Sequence, residues 1–122
     1  MLTLLAAAAA LTTQAADPVS ATFASNEYHE FSAQEMALID DRLDALHAAV
    51  DAWLPHVADS VNVRVEPVNR PVLDMIGGVT GRADRPDEVL IEISVTYPGG
   101  IKAAVDAGLA TTFAHELHHS AH

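Results

Sequence analysis

The sequence predicts a small α+β domain, in which an amphipathic helix precedes a twisted three-stranded sheet and a second helix, carrying a His-Glu-x-x-His motif, follows it. Three observations support this prediction. Apolar residues recur at alternating spacings of three and four between Met36 and Val57, residues 61–66 and 89–97 alternate between apolar and polar, and a glycine-rich apolar run separates those two stretches. Strands flanked by helices are typical of a two-layer α+β domain, with both helices on one face of the sheet.

Composition limits the classes of function that the chain can have. Its 122 residues are enough for one small domain, and half of them are apolar. The net charge of −11, with His neutral, argues against binding to nucleic acid or to anionic membrane surfaces. Cysteine is absent, so any metal ligands must come from His, Asp or Glu.

Residues 1–16 differ from the rest of the chain. An uncharged Leu/Ala-rich run at 2–11 is followed by small residues and then by Asp17-Pro18, which is the layout of a secretory signal peptide. The run is too short to span a bilayer as a helix. The signal peptide predicts a bacterial protein that is periplasmic or secreted, without a stable membrane anchor. No Lys or Arg precedes the run, so the alternative, a helix of the fold itself, stays open.

The first helix of the domain is predicted after an extended lead-in at residues 17–31, which has no sustained period. Ser32-Ala33-Gln34-Glu35 is a capping-box pattern, and Pro55 should end or kink the helix. His47 and His56 lie outside the apolar stripe and are expected to face solvent. The stripe comprises Met36, Ile39, Leu43, Leu46, Val50, Trp53 and Val57.

The predicted sheet has three strands. Residues 61–66 form a half-buried strand that Pro67 closes, residues 72–76 form a second, and residues 89–97 form the strongest. Residues 84–87 are expected to form a turn. Glycines after the second run indicate a turn, a bulge or the close approach of another backbone, and these are Gly77, Gly78 and Gly81.

The final helix contains the candidate metal-binding and catalytic residues. Its apolar residues cover nearly every face, which predicts a buried helix. His115 and His119 are four residues apart and therefore share a face. On a helical wheel His119 lies about 40° from His115, and Glu116 about 100° from it. Two imidazoles on adjacent turns can bind one metal ion while the carboxylate lies beside it, and this is the spacing of a zinc hydrolase.

The segment Ala114-His115-Glu116-Leu117-His118-His119, after a strand that ends in Tyr-Pro-Gly, resembles the zincin metallopeptidases. It is similar in particular to a bacterial group of predicted Zn-dependent proteases of unknown function, whose helix often reads His-Glu-Leu-His-His. The Gly-Gly-Val-x-Gly stretch also fits that group, and the resemblance covers residues 32–122. It implies zinc-dependent hydrolysis of peptide bonds, with His115 and His119 as zinc ligands and Glu116 as the general base. The substrate would be a peptide or protein held by main-chain bonds on an edge strand, for which residues 75–82 are the candidate.

A catalytic zinc requires a third protein ligand. In the resembling families this is a Glu on a later helix, or a His after an x-x-Gly continuation, but position 122 here is His. His122 would lie about 10 Å along the helix from His115, which is long for a shared ion. We therefore expect residues 32–122 to be the N-terminal part of a longer enzyme and to be poorly active alone. Otherwise the ligand comes from His29, Glu30 or a second subunit.

Two other classes of function remain open. His115, His118, His119 and His122 could form a non-catalytic module that chelates copper, nickel or zinc, for which Glu116 would be dispensable. Alternatively, the histidines are a solvated end of a helical packing module with no metal. The sequence predicts neither a substrate side-chain pocket, nor an oxyanion donor, nor an oligomeric state.

Overall fold

A computed structural model describes residues 18–54, 57–70 and 75–120, apart from the side chains of Asp84 and Ser120. The described chain forms a four-stranded mixed sheet in the order β1-β2-β4-β3 and two long helical segments. The elements are β1 (Val19–Phe23), α1 (Ala33–Trp53), β2 (Val61–Val68), β3 (Val79–Arg85), β4 (Glu88–Ser94), α2 (Gly100–Ala104), a π-helical turn (Val105–Leu109) and α3 (Ala110–Ser120).

The predicted three-stranded sheet is wrong, because part of the expected lead-in at 17–31 is a strand. β1 pairs in parallel with β2, from Val19 opposite Val61 to Phe23 opposite Val65. Its alternation extends over only five residues, and only Val19 among them is fully buried. Parallel neighbours need a crossover of a dozen or more residues, which α1 supplies.

The other two predicted strands are displaced. The glycine-rich strand lies at Val79–Arg85, after the glycine pair, and in the described part of 72–76 only Ile76 forms a bridge, to Val79. β4 ends at Ser94 and not at Tyr97. The buried Ser94 hydroxyl accepts the N–H of Thr96 at 3.3 Å, which turns the chain out of the sheet.

Helix α1 begins at the predicted capping box. The Glu35 N–H donates to the Ser32 hydroxyl, and the Glu35 carboxylate accepts the Ser32 N–H. The apolar stripe is confirmed at Ile39 and Leu43, which are fully buried. It is wrong at Trp53, which is 85 % exposed in the last turn of the helix.

The core lies between one face of the sheet and the helices. In β2, Val61, Val63 and Val65 are buried while the intervening side chains are exposed or partly exposed. α1 packs against β1 and α3, and α3 packs against β3. The opposite face of the sheet carries mostly polar side chains, among them Asn62, Arg64 and Arg82. This one-sided burial explains the clean alternation of β2, which is what a two-layer domain requires.

The final helix is amphipathic, so the expectation that it is buried on nearly every face is wrong: Ala107 and Ala110 are exposed. Its large buried apolar side chains recur every four residues, at Ile101, Val105, Leu109, Phe113 and Leu117. In a regular α-helix that spacing would wrap the stripe by about 160° around the axis. The π-turn holds about one extra residue and takes back about 100° of that rotation. Glu116 and Leu117 therefore stay on the face that packs against the sheet.

Several predictions fall outside the described residues, namely the signal peptide at 1–16, His56, most of residues 72–76, and His122. Among the helices that the structure describes, none has the length and apolarity needed to cross a membrane.

Candidate active site

His115 and His119 lie on consecutive turns of α3, and both side chains are exposed. Their imidazole rings are nearly parallel, with planes 5° apart and centroids 6.2 Å apart. The predicted sharing of one helix face is therefore confirmed. Both imidazoles are accessible to solvent, and His115 also lines the groove between α3 and β3.

The spacing of the two rings is close to what a shared metal ion needs. Two imidazole nitrogens about 2.0–2.1 Å from one tetrahedral zinc would hold their ring centroids about 5 Å apart. The observed centroids are 6.2 Å apart, about 1 Å more than this, and the rings lie in nearly parallel planes. Because the lone pair of a ring nitrogen lies in the ring plane, the two stacked rings would have to turn before both could point at one ion.

The side chain of Glu116, which stands between the two histidines in the motif, is directed toward β3, where its Cγ lies beside Gly81. It is 7 % exposed and lines a groove of about 210 Å³ between β3 and α3. A carboxylate is rarely so buried without a reason. Here the groove gives it access to solvent while the helix stays packed on the strand. The lining residues are Ile76, Val79, Thr80, Gly81, Thr112, His115 and Glu116.

Strand β3 forms the wall of the groove opposite the motif and stands at the end of the described sheet. The Ser94 N–H donates to the Gly78 carbonyl at 2.8 Å. Hydrogen-bonded positions alternate along an antiparallel pair. The main-chain groups of Gly81 and Ala83 are therefore directed away from β4. The expectation that residues 75–82 contain edge strand is confirmed for 79–82.

A tight turn anchors the start of β3 to the final helix. Ile76 and Val79 exchange main-chain hydrogen bonds around Gly77 and Gly78, whose φ angles of +57° and +80° are typical of a type I′ turn. Gly108, in the π-turn, lies so close that a Cβ there would be 2.0 Å from the Ile76 carbonyl oxygen. The main chains of this hairpin turn and of the helix are therefore in direct contact. Gly77 and Gly78 predicted a turn or the close approach of another backbone, and both are present.

A second contact lies nearer the motif. The Thr112 hydroxyl donates to the Val79 carbonyl at 3.5 Å, the long limit of a hydrogen bond. Thr112 is one turn before Glu116 on the same buried face. Together with the glycine contact it sets the separation of β3 and α3.

In the described part of the chain, the alternative ligands His29 and Glu30 do not lie with His115 and His119. Across residues 18–54, 57–70 and 75–120, no three His, Asp or Glu side chains are grouped so that they could hold a metal ion. His29 instead lies 2.9 Å from the Glu35 carboxylate at the start of α1, and Glu30 is exposed.

The sequence therefore identified the motif residues but not their surroundings. Thr112 and Gly108 were missed. An isolated glycine within a helical pattern, such as Gly108, is the signal that could have indicated a close backbone contact. Nothing in the residue pattern distinguishes Thr112 from its neighbour Thr111. They differ only in the folded protein, where Thr112 packs against β3 and Thr111 is exposed.

Comparison with protein-family models, with curated proteins and with solved structures found no match to this chain.

Proposed function

We propose that this chain carries the active-site helix and the substrate-binding edge strand of a zinc-dependent peptide hydrolase. The observation that supports this most directly is the groove between β3 and α3. The carboxylate of Glu116 is buried in this groove. The imidazoles of His115 and His119 are exposed and nearly parallel. A simple chelating cluster has no need of a buried Glu116, whereas a hydrolase needs a base held beside the substrate.

In this proposal His115 and His119 hold the zinc ion, and a further residue completes the ligand set. A bound zinc supplies a Lewis acid that makes water a nucleophile near neutral pH and polarises the scissile carbonyl. Glu116 accepts a proton from the attacking water on a carboxylate oxygen and delivers it to the leaving amine. Phe113 and Leu117, both fully buried, hold the helix against the core so that Glu116 cannot drift from the groove.

Substrate recognition would use the main chain. The outward N–H and C=O groups of Gly81 and Ala83 can donate to and accept from an extended peptide, which would add as a further strand beside β3. Such pairing depends little on the substrate's side chains. It therefore suits a peptide or an unfolded protein segment as the substrate.

Metal analysis of the purified whole protein, expressed from its complete reading frame, tests the ligand assignment. We expect about one zinc per chain in the wild type and loss of that zinc in His115→Ala and in His119→Ala, because each removes one of so few ligands. His118→Ala is the matched control: it changes an exposed histidine of the same helix and should retain the metal. Equal zinc content in all four proteins would overturn the assignment. Loss of zinc in His118→Ala as well would instead support the non-catalytic chelating module.

A further inference from the structure

We propose that Gly81 is a positioning residue for Glu116. The absence of a side chain at this position of β3 lets the Glu116 stem lie directly against the strand, and this fixes where the carboxylate stands in the groove. The proposal rests on the proposed hydrolase function for its catalytic meaning, but the geometric claim can be tested without any activity.

The contacts around Gly81 are unusually close. A Cβ built on Gly81 would lie 2.8 Å from Cγ of Glu116 and 2.9 Å from Cγ2 of Thr112. Both separations are shorter than carbon atoms tolerate, since van der Waals contact between carbons begins at about 3.5 Å. The strand and the motif helix could not approach this closely with any other residue at 81.

The backbone does not by itself require glycine there. The glycines with positive φ are Gly77, Gly78, Gly99 and Gly100 among the described residues, and Gly81 is not one of them. On the sheet side the same Cβ would be 3.4 Å from Ile91, which is an ordinary contact. Gly81→Ala therefore perturbs the contact with α3 while leaving the conformation of β3 acceptable.

Displacing Cγ of Glu116 would move the reacting group. Cγ lies in the middle of the side chain, so it can yield only by a change of side-chain rotamer or by a shift of the whole helix. A misplacement of about 1 Å in a catalytic group can reduce the rate by about 10²-fold. The rate of the chemical step should then fall more than the affinity for substrate, because the main-chain groups of β3 remain in place.

The experiment compares wild type, Gly81→Ala and Gly81→Ala/Thr112→Ser. The side-chain rotamer of Glu116 is measured from NMR three-bond couplings in the metal-free whole protein. We expect Gly81→Ala to change these couplings and Thr112→Ser, which removes the competing methyl group, not to restore them. Unchanged couplings in Gly81→Ala, or their restoration by Thr112→Ser, would overturn the positioning role.

If Gly81→Ala does not fold well enough for NMR, thermal midpoints decide the same question. Gly81→Ala should lower the midpoint markedly in the wild-type background and less in a Glu116→Ala background, which has no Cγ to displace. Equal lowering in both backgrounds would contradict the proposal.

The kinetics of peptide hydrolysis test whether the position of Glu116 matters for catalysis. With zinc content retained, kcat of Gly81→Ala should fall about 10²-fold with KM within about threefold. Adding Gly81→Ala to Glu116→Gln should cost no further activity, because the group it positions is already lost. An equal loss in both backgrounds would overturn the role. A whole wild-type protein that cleaves no peptide would refute the hydrolase function, while the couplings would still decide the geometry.

Discussion

His47 illustrates at the scale of one residue how tertiary structure overrides a helical pattern. The prediction that it faces solvent is wrong, since it is 4 % exposed and lies one turn after the buried Leu43. Its Nε2 is 2.8 Å from the Ala58 carbonyl, so the ring ties the last turns of α1 to the loop before β2. The buried imidazole is tolerated because the Ala58 carbonyl is its hydrogen-bond partner.

Replacing His47 should therefore destabilise the fold. In His47→Ala the Ala58 carbonyl loses its partner and a cavity forms, for which we expect a loss of about 2–4 kcal/mol in the free energy of unfolding. Asp51→Ala, at an exposed position one turn later on the same helix, should change it by less than about 0.5 kcal/mol. Urea unfolding followed by circular dichroism measures both. Equal effects would mean that the His47 contact contributes nothing.

At the scale of elements, the capping box makes the stability of the start of α1 depend on pH. Partial burial raises the pKa of Glu35, but the Ser32 N–H and the hydrogen bond and charge of His29 outweigh it and hold that pKa below its ordinary value of 4.5. A carboxyl whose pKa is lower in the folded state stabilises the fold above its unfolded pKa. That contribution disappears as the pH falls through the lowered value.

Glu35→Gln isolates the charge, because Gln can still accept the Ser32 N–H. At pH 7 we expect the variant to be less stable by up to about 1 kcal/mol, since the side chain is partly exposed. The difference should shrink as the pH falls below 4.5. Urea denaturation from pH 3 to pH 7 measures the trend. A difference in stability that grows as the pH falls below 4.5 would contradict a lowered pKa of Glu35 in the folded protein.

The contact between the π-turn and the hairpin gives a second prediction for elements. Alanine is favoured over glycine within a helix by about 1 kcal/mol, so propensity alone would make Gly108→Ala stabilising. The 2.0 Å approach of its Cβ to the Ile76 carbonyl oxygen requires the opposite. We expect destabilisation of about 1–3 kcal/mol, as for other overpacked sites.

The exposed position two residues later serves as the control for Gly108→Ala. Ala110→Gly should cost only the helix propensity, about 1 kcal/mol. Thermal unfolding of both variants gives the comparison. A more stable Gly108→Ala protein would contradict the described packing of hairpin against helix.

For the molecule as a whole, the predictable parts are those in which a repeating pattern is long enough to be specific. The stripe of α1, the alternation of residues 61–66 and the motif spacing all predicted real features. β1 was missed because five residues on a sheet edge carry too little pattern, and its pairing partner is more than thirty residues away. The groove was not predictable, since it depends on how β3 and α3 meet.

The glycines predicted the contact between β3 and the final helix better than the polar residues did. The pair Gly77-Gly78 and Gly81 predicted a turn or a close backbone approach, and both occur. What the pattern could not supply was the partner, which lies on the final helix some thirty residues later. Gly108 and Thr112 acquire their roles only when the π-turn brings their face onto β3.

The most direct test of the central claim is hydrolysis of a denatured protein by Glu116→Gln, with zinc measured in the same samples. The whole protein from its complete reading frame is compared with the variant. Gln keeps the shape of the side chain in the groove but cannot accept the proton. We predict unchanged zinc and a fall in kcat of at least 10²–10⁴-fold, or about 3–5 kcal/mol in barrier height. Equal rates with retained zinc would contradict the assignment of Glu116 as the general base of a peptide hydrolase.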